Sequence, residues 1–241
     1  MTLHPDPRTM EERVAHVRFR MEEAAKRAGR DPAAILLCAV SKTQSNEIVL
    51  ESAHLPIDLF GENHMQELVA HGDSGAYLHK PVHFIGHLQT NKVKKVVGRA
   101  AMIQSVDSLR LLDAIEKEAA KQGLTQDILL ELNLVDEASK TGASLADLWP
   151  MAEQACALPH IRLRGLMGIP PAGLDADGNR RYFANLYQLY LQLQDRYPDL
   201  SIDTLSMGMS SSYEEAILEG ATSVRVGSAI YGSRPKKSPI F

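Results

Sequence analysis

The sequence predicts a closed (β/α)8 barrel preceded by one additional helix. Eight short apolar segments recur along the chain, helical patterns separate most of them, and no Gly-x-Gly-x-x-Gly motif follows the first segment. These features favour a barrel over an open doubly wound sheet. A chain of 241 residues can also build one core without disulfides or metals. We therefore expect a single domain over 1–241, with a helix at about 10–28, the barrel at about 34–233 and a short C-terminal tail.

The first predicted element is the additional helix. Thr9 and Glu12 have the spacing of a capping box, and Gly29 follows the last turn. Apolar residues recur between them at helical spacing, namely Val14, Val17, Met21 and Ala25. This helix precedes the first strand and is therefore not one of the eight barrel helices.

The barrel strands and helices follow in alternation. Apolar runs bounded by polar residues or glycine predict strands at 35–41, 57–61, 82–86, 101–105, 128–133, 161–168, 202–208 and 222–227. Periodic patterns predict helices at 108–122 and 183–194, a short one at 90–98, and another at 211–219 in which Ser212 and Glu215 could form a cap.

Composition argues against several classes of protein. The 26 Lys and Arg residues against 30 Asp and Glu give a net charge of −4, which is not typical of a nucleic-acid-binding protein. The longest apolar run is far shorter than the roughly 20 residues that span a bilayer, and the N-terminus lacks a signal-peptide core. The two cysteines have no metal or redox spacing. We expect a cytoplasmic protein that binds neither nucleic acid nor membranes.

Polar residues at the C-terminal ends of the strands are the candidate site, because barrel proteins build their sites there. Lys42 follows the first strand, above an apolar row on the same face formed by Leu36, Cys38 and Val40. In the last strand, Val224 and Val226 share the face that suits packing against helices. Arg225 is therefore predicted to point into the barrel.

Strands one and eight are neighbours in a closed barrel, so Lys42 and Arg225 would share one mouth. Two unpaired cations there would be costly. Either a carboxylate such as Glu131 or Asp203 pairs with them, or a ligand supplies negative charge and accepts the lysine. A desolvated lysine beside another cation has a lowered pKa and attacks aldehydes to form a Schiff base.

The segment after the last strand suits a phosphate. Gly227 leaves backbone N–H groups open to a ligand, Ser228 adds a hydroxyl, and a helical turn that follows attracts anions. Ser210 lies in the neighbouring loop, and barrel phosphate sites are frequently placed after strands seven and eight. An aldehyde and a phosphate together indicate pyridoxal 5′-phosphate (PLP).

The whole chain resembles the pyridoxal phosphate homeostasis proteins (the YggS/PROSC family). The matching segments, in order, are Ala39-Val-Ser-Lys-Thr43, Phe60-Gly-Glu-Asn63, Gln66-Glu67, His83-Phe-Ile-Gly-His-Leu-Gln-Thr-Asn-Lys92, Gln104-Ser-Val-Asp107, Gly165-Leu-Met167, Leu205-Ser-Met-Gly-Met-Ser210 and Val224-Arg-Val-Gly227. The resemblance implies a barrel like the N-terminal domain of alanine racemase, which is PLP fold type III, without the second β-domain.

The resemblance also implies the cofactor-binding residues. Lys42 would carry PLP as a Schiff base, Asn63 would lie near the cofactor, and Arg225 would face the pyridine nitrogen. The phosphate would be held by Ser210, Gly227 and Ser228. Because an arginine stays protonated and only donates hydrogen bonds, the ring nitrogen would remain neutral and the ring a weaker electron sink. His64 receives no role.

The function implied by the resemblance is PLP binding in the control of vitamin B6 supply, with indirect effects on amino-acid and keto-acid metabolism. We expect a monomeric, non-enzymatic carrier or regulator. The sequence does not distinguish delivery, storage and sensing of PLP, and PLP-dependent apo-enzymes are the candidate recipients. The alternative is a racemase, which needs a second base on the face away from the lysine. Only 14 residues follow Gly227, so we expect no second domain to supply it. Tyr213, Tyr231 and His87 are candidates within the barrel, each with another explanation.

A metal-dependent hydrolase is a third class. His83 and His87 lie on one strand face and could be two ligands. No carboxylate or further histidine follows with the spacing of a metal site, so we expect no metal.

Overall fold

The computed structural model describes residues 8–134 and 142–232. The predicted C-terminal tail lies outside these residues. Within the described ranges the main feature is one parallel sheet that closes on itself. The strands are β1 (Leu36–Val40), β2 (Leu59–Glu62), β3 (Val82–Phe84), β4 (Met102–Val106), β5 (Gln126–Leu132), β6 (Ile161–Gly168), β7 (Thr204–Ser206) and β8 (Ser223–Val226). They pair in chain order, and β8 pairs with β1, which confirms the predicted barrel.

Helices follow the strands on the outside of the barrel. They are α1 (Met10–Arg27), α2 (Asn46–Ala53), α3 (Met65–Asp73), α4 (Leu109–Gln122), α5 (Leu145–Ala157), α6 (Ala176–Arg196), α7 (Tyr213–Leu218) and α8 (Ser228–Tyr231). Two 3-10 helices cover Pro32–Ala34 and Thr90–Lys95, the second in place of a barrel helix after β3. None of these described helices has the length and apolar character needed to cross a membrane.

The additional helix α1 forms as predicted. The Glu12 N–H donates to Thr9 Oγ1 at 3.2 Å and the Thr9 N–H donates to Glu12 Oε2 at 2.7 Å, which completes the capping box. The buried face of α1 joins the main core and packs against α7 and α8. Arg13 Nε also donates to the Ile230 carbonyl at 2.6 Å, so α1 supports the short helix after β8.

Two helices differ from the sequence prediction. Helix α6 begins at Ala176 rather than 183, because the Asp175 side chain accepts the Gly178 N–H at 2.7 Å and caps an earlier turn. The predicted cap of α7 is wrong. The Ser212 hydroxyl accepts the Met209 N–H at 3.3 Å, in the preceding loop, and makes no cap hydrogen bond to α7.

The side chains of β8 alternate between two environments, as predicted. Val224 and Val226 belong to the main core between sheet and helices, whereas Arg225 is buried inside the barrel opposite Cys38 of β1. Small apolar clusters fill other parts of the interior, namely Cys38, Val40, Leu59 and Ile85 on one side and Met102, Leu129 and Met167 on the other. Burial raises the pKa of the Cys38 thiol to about 12, so this cysteine is an unreactive core residue.

Candidate functional site

A cavity of about 340 Å³ opens at the C-terminal end of the barrel. It is lined by Val40, Lys42, Thr43, Gln44, Asn63, Ile85, Ile169, Met209, Ser210, Ser211, Arg225, Gly227, Ser228, Tyr231 and Gly232. All six residues predicted to bind a cofactor are among them. The structure therefore brings together side chains from the ends of β1, β2, β7 and β8, although their roles toward a cofactor stay predictions.

The segment that carries Lys42 has an unusual backbone. Thr43 adopts a φ of 66°, in the left-handed region that β-branched residues rarely occupy. Its N–H donates to Glu67 Oε1 at 2.8 Å, and the Gln44 N–H donates to the Ser41 carbonyl at 3.1 Å. Such strained residues persist only where surrounding contacts hold them, and they cluster at functional sites.

Arg225 lies beneath the cavity and is 4% exposed. Its guanidinium donates to Ser206 Oγ at 2.6 Å and to the Gly168 carbonyl at 3.0 Å. Burial lowers the pKa of Arg225, and the negative charge of Glu131 partly offsets this effect. Of the two predicted carboxylates, Glu131 is the one whose charge acts on Arg225.

The other predicted carboxylate, Asp203, is not part of the site. Arg164 Nε donates to Asp203 Oδ1 at 3.1 Å, and this ion pair also includes Asp127. Asp203 precedes β7 at the opposite end of the strand from the cavity. Asp203 is therefore too far along the strand to pair with Lys42 or Arg225, although its charge alone suggested that pairing.

A chain of hydrogen bonds continues from Arg225 through the barrel interior. Ser206 Oγ lies 2.6 Å from Gln104 Oε1, and Gln104 Nε2 lies 2.8 Å from His83 Nδ1. Because an arginine can only donate, Ser206 must donate onward to Gln104, whose amide then donates to His83. His83 is therefore neutral, and burial lowers its pKa to about 4.

The end of the cavity near β8 presents two serine hydroxyls. Ser210 Oγ accepts the N–H groups of Gly227 at 3.1 Å and Ala229 at 3.3 Å. The Ser228 side chain begins α8 beside them. Both N–H groups are paired with Ser210 Oγ, so the Ser210 and Ser228 hydroxyls are the donors that this end of the cavity offers to an anion.

Asn63 forms the wall across the cavity. Its Oδ1 atom is buried and has no hydrogen-bond partner within the described structure. Buried polar atoms in folded proteins are nearly always paired, so an unpaired one at a cavity wall fits a polar ligand that the coordinates do not include. One cavity thus brings together an amine, a buried cation, two serine hydroxyls and an unpaired amide oxygen, which fits the PLP site that the sequence predicts.

Comparison with known proteins shows the family. The model for the alanine racemase N-terminal domain matches residues 13–235. The chain is 39% identical to the pyridoxal phosphate homeostasis protein of Aquifex aeolicus, over 92% of this chain and 97% of that protein. The corresponding Escherichia coli K12 protein is 36% identical over 92% of this chain and 95% of its own length. The chain belongs to the pyridoxal phosphate homeostasis protein family.

Solved structures agree with this assignment and confirm the predicted fold. PipY of Synechococcus elongatus PCC7942, in a structure with PLP bound, superposes with a TM-score of 0.82 at 33% identity, covering 93% of this chain and 100% of that one. Alanine racemase from Corynebacterium glutamicum superposes with a TM-score of 0.70 at 15% identity, covering 95% of this chain and 63% of that one. The racemase likeness shows a shared barrel fold alone.

In this member of the homeostasis protein family, the three candidate second bases differ in position. Tyr231 lines the cavity, but its hydroxyl lies 3.0 Å from Ser52 Oγ and burial raises its pKa. Tyr213 is buried in α7 and is not a lining residue. His87 is half exposed, with Nδ1 3.5 Å from Asp107 Oδ2. Of the two histidines weighed as metal ligands, His83 is buried inside the barrel, where its Nδ1 accepts from Gln104, whereas His87 is exposed.

Sequence reasoning missed several buried polar residues of this family member. Gln104 and Ser206 orient Arg225, while Glu62, Glu67 and His71 support the segment around Lys42. A signal was available for the first group. Gln104 and Ser206, like His83, are polar residues within the predicted strands, a pattern that indicates buried hydrogen-bonding groups.

Proposed function

We propose that this protein binds PLP in the cavity, with Lys42 as the covalent attachment point, and takes part in cellular PLP (vitamin B6) homeostasis. The observation that carries the proposal is the joint placement in one cavity of a lysine, a buried arginine and a cradle of serine hydroxyls. The names of the relatives and the PLP-bound structure of PipY support it. Effects on amino-acid and keto-acid balance would follow indirectly.

The cradle is suited to the phosphate. Ser210 Oγ accepts two N–H groups, so its own O–H can donate to a phosphate oxygen. The Ser228 hydroxyl would add a further donor, whereas the Gly227 N–H already donates to Ser210.

Arg225 would hold the ring nitrogen of PLP in its unprotonated form. When bound, the cofactor supplies an aldehyde for covalent bonding to an amine and a ring that withdraws electrons from the bonded carbon. Arg225 donates to Ser206 and Gly168 and keeps its own protons, so it cannot transfer a proton to that nitrogen. We propose that this limits electron withdrawal and favours holding over turnover.

We propose a carrier or regulator rather than a racemase. Racemisation needs a base on the cofactor face away from the lysine. Tyr231 borders the cavity, but burial raises its pKa, so its hydroxyl keeps its proton near neutral pH and cannot accept one from a substrate. Incubation of the PLP-loaded protein with L-alanine in deuterated water should leave the α-hydrogen unexchanged on the time scale of an enzymatic control.

The remaining features of the proposal concern the cellular setting. Two free cysteines, one buried and one exposed, are typical of a reducing compartment and support a cytoplasmic location. We propose a monomer that passes PLP to apo-enzymes. Mixing the loaded protein with a PLP-dependent apo-enzyme should restore that enzyme's activity faster than the spontaneous release of PLP allows.

The test of the proposed function is a spectrum. The purified protein with added PLP should show a visible absorption band that borohydride abolishes, with one phosphopyridoxyl group on Lys42 by mass spectrometry. Lys42→Ala should lose the band. Lys94→Ala, which alters an exposed lysine on the 3-10 helix away from the cavity, should keep it. A wild-type protein that takes up no PLP would contradict the proposal.

A further inference from the structure

A buried acid–base pair lies behind the segment that carries Lys42. Glu62, at the end of β2, is fully buried, and its Oε1 atom accepts the Ser41 hydroxyl at 2.5 Å. His71 of α3 is 2% exposed, with Nδ1 2.8 Å from the same Glu62 oxygen. Its other nitrogen, Nε2, lies 3.2 Å from the Gln44 carbonyl oxygen. The pair therefore contacts the residue before Lys42 and the second residue after it.

The contacts fix the protonation state of the pair. A carbonyl oxygen can only accept, so His71 Nε2 carries a hydrogen. Glu62 Oε1 accepts the Tyr77 hydroxyl at 3.1 Å as well as the Ser41 hydroxyl, which favours a carboxylate, and Glu62 Oε2 is buried with no hydrogen-bond partner among the described residues. His71 Nδ1 then donates as well, and the ring is an imidazolium. The hydrogen bond that His71 donates to Glu62 raises the pKa of His71, in agreement with this assignment.

The neighbouring groups complete the support of this segment. Glu67 of α3 accepts the N–H of Thr43, the residue with left-handed backbone. Tyr77 packs edge-on against the His71 ring, with centroids 5.9 Å apart. Glu62, Glu67 and Tyr77 are the titratable groups that act on His71 from the elements packed against it. None of the three lines the cavity, and neither does His71.

We propose that Glu62 and His71 are positioning residues that hold the Ser41–Gln44 segment in place and thereby keep Lys42 directed for cofactor attachment. The inference rests on the proposed function. A neutral His71 keeps one N–H and loses the other, so it cannot donate to Glu62 and Gln44 together. Loss of the proton therefore loosens one side of the segment and weakens PLP binding at a pH above the His71 pKa.

The experiment compares four variants of the full-length protein with wild type. His71→Gln removes the charge, His71→Lys keeps a charge for Glu62, and Glu62→Gln removes the partner. His160→Gln is the matched control, because His160 Nδ1 also lies 2.8 Å from a glutamate oxygen, that of Glu116, away from the cavity. Two quantities are measured from roughly pH 6 to 9. They are hydrogen-exchange protection of the Thr43 and Gln44 amides without cofactor, and PLP affinity by absorption.

We expect wild-type protection at Thr43 and Gln44 to fall as the pH rises through the His71 pKa, with PLP affinity falling in the same range. His71→Gln and Glu62→Gln should lower both quantities on the order of tenfold at neutral pH and remove this step. His71→Lys should restore much of the protection and move the step to higher pH, because a lysine keeps its proton longer. His160→Gln should match wild type in both measurements.

The outcomes separate this inference from the proposed function. Wild-type binding of PLP with unchanged protection and affinity in His71→Gln would overturn the positioning role and leave the proposed function standing. Loss of protection in His71→Gln with no PLP binding by wild type would contradict the proposed function. If His71→Gln does not fold, the wild-type pH profile decides, and flat protection across that range would overturn the inference.

Discussion

At the scale of single residues, Arg225 orders the polar interior of the barrel. A guanidinium only donates, so one buried arginine fixes the direction of each hydrogen bond as far as His83. The same property would set the protonation of a bound pyridine ring. Arg225 thereby connects the protonation of the proposed cofactor's ring nitrogen to a hydrogen-bond network that extends across four strands.

Ser206 is the most sensitive member of that network. Ser206→Ala leaves an Arg225 N–H and the Gln104 oxygen without a partner in a buried site. Leaving buried polar groups unpaired costs about 1–3 kcal/mol. We expect the free energy of unfolding, measured by urea denaturation, to fall by about 2 kcal/mol.

Ser223→Ala is the control for this prediction. Ser223 is equally buried in the neighbouring strand, yet its hydroxyl has no hydrogen-bond partner among the described residues. The same substitution should therefore leave the free energy of unfolding unchanged or raise it slightly. Equal losses in the two variants would show that the hydrogen bonds of Ser206 do not contribute as argued.

At the scale of elements, the close approach of β2 and β3 places Asn63 in the cavity wall. A Cβ atom at Gly86 would lie 2.1 Å from the Asn63 carbonyl oxygen, far inside van der Waals contact. Gly86→Ala must therefore displace the backbone of Asn63. We expect a loss of about 1–3 kcal/mol in the free energy of unfolding, as for other overpacked sites, together with weaker PLP binding by absorption titration.

Gly72→Ala is the matched substitution in the neighbouring helix α3. A Cβ there meets only Tyr77 Cε2, at 3.9 Å. Alanine is also the better helix former, by up to about 1 kcal/mol. We expect unchanged PLP binding and equal or greater stability, and a loss of binding in this variant would undermine the argument from backbone contact at Gly86.

Element boundaries were predictable where a local signal marks them. The prediction for β6 matches the observed Ile161–Gly168, and both ends of α1 lie within two residues of the expected positions. The start of α6 was placed too late because its first turn contains charged residues and Gly178, and its stability comes from the Asp175 cap. The predicted Ser212–Glu215 cap does not form, because the Ser212 hydroxyl accepts the N–H of Met209 in the preceding loop. Spacing alone cannot reveal that competition.

At the scale of the whole molecule, two buried histidines affect the pH dependence of the free energy of unfolding in opposite directions. His83 is neutral in the folded protein, with a pKa of about 4 against an ordinary 6.5. Between pH 6.5 and pH 4, His83 is therefore protonated in the unfolded chain but neutral in the folded protein. The free energy of unfolding falls as the pH drops through this range. The difference corresponds to about 3 kcal/mol.

His71 acts in the other direction. Its raised pKa means that the folded protein retains a proton that the unfolded chain releases, so its contribution is lost as the pH rises through the folded pKa. We expect denaturation in urea to give a stability maximum between the two histidine pKa values. His83→Gln should flatten the acid side of that profile, and an unchanged acid side would show that other groups cause it.

Ligand binding should also stabilise the whole barrel, because its site joins the first and last strands. A ligand at one hundred times its Kd adds about 2.7 kcal/mol to the free energy of unfolding. We expect PLP to raise the unfolding temperature by several degrees, measured by differential scanning calorimetry. The shift should be much smaller for Lys42→Ala and for pyridoxal, which lacks the phosphate. An equal shift with pyridoxal would remove the role assigned to the Ser210 cradle.

The barrel, the family and the placement of the six candidate residues at one cavity could be predicted from the amino-acid sequence, because they depend on local patterns and motifs. The roles of the six residues stay predictions. Apolar runs mark strands, alternation along β8 turns Arg225 inward, and the motif residues follow their strands directly. Chain closure then follows from the number of βα units, which places Lys42 and Arg225 at one mouth.

The polar partners of Lys42 and Arg225 depend on the folded structure. Glu62 meets His71 from another element, and Gln104 meets Ser206 although 102 positions separate them in the chain. A buried charge is stabilised by whichever hydrogen-bonding partners lie within about 3 Å, and such distances between strands depend on the register and closure of the sheet. Local patterns carry no information on these distances, so the network that orients the site is visible only in three dimensions.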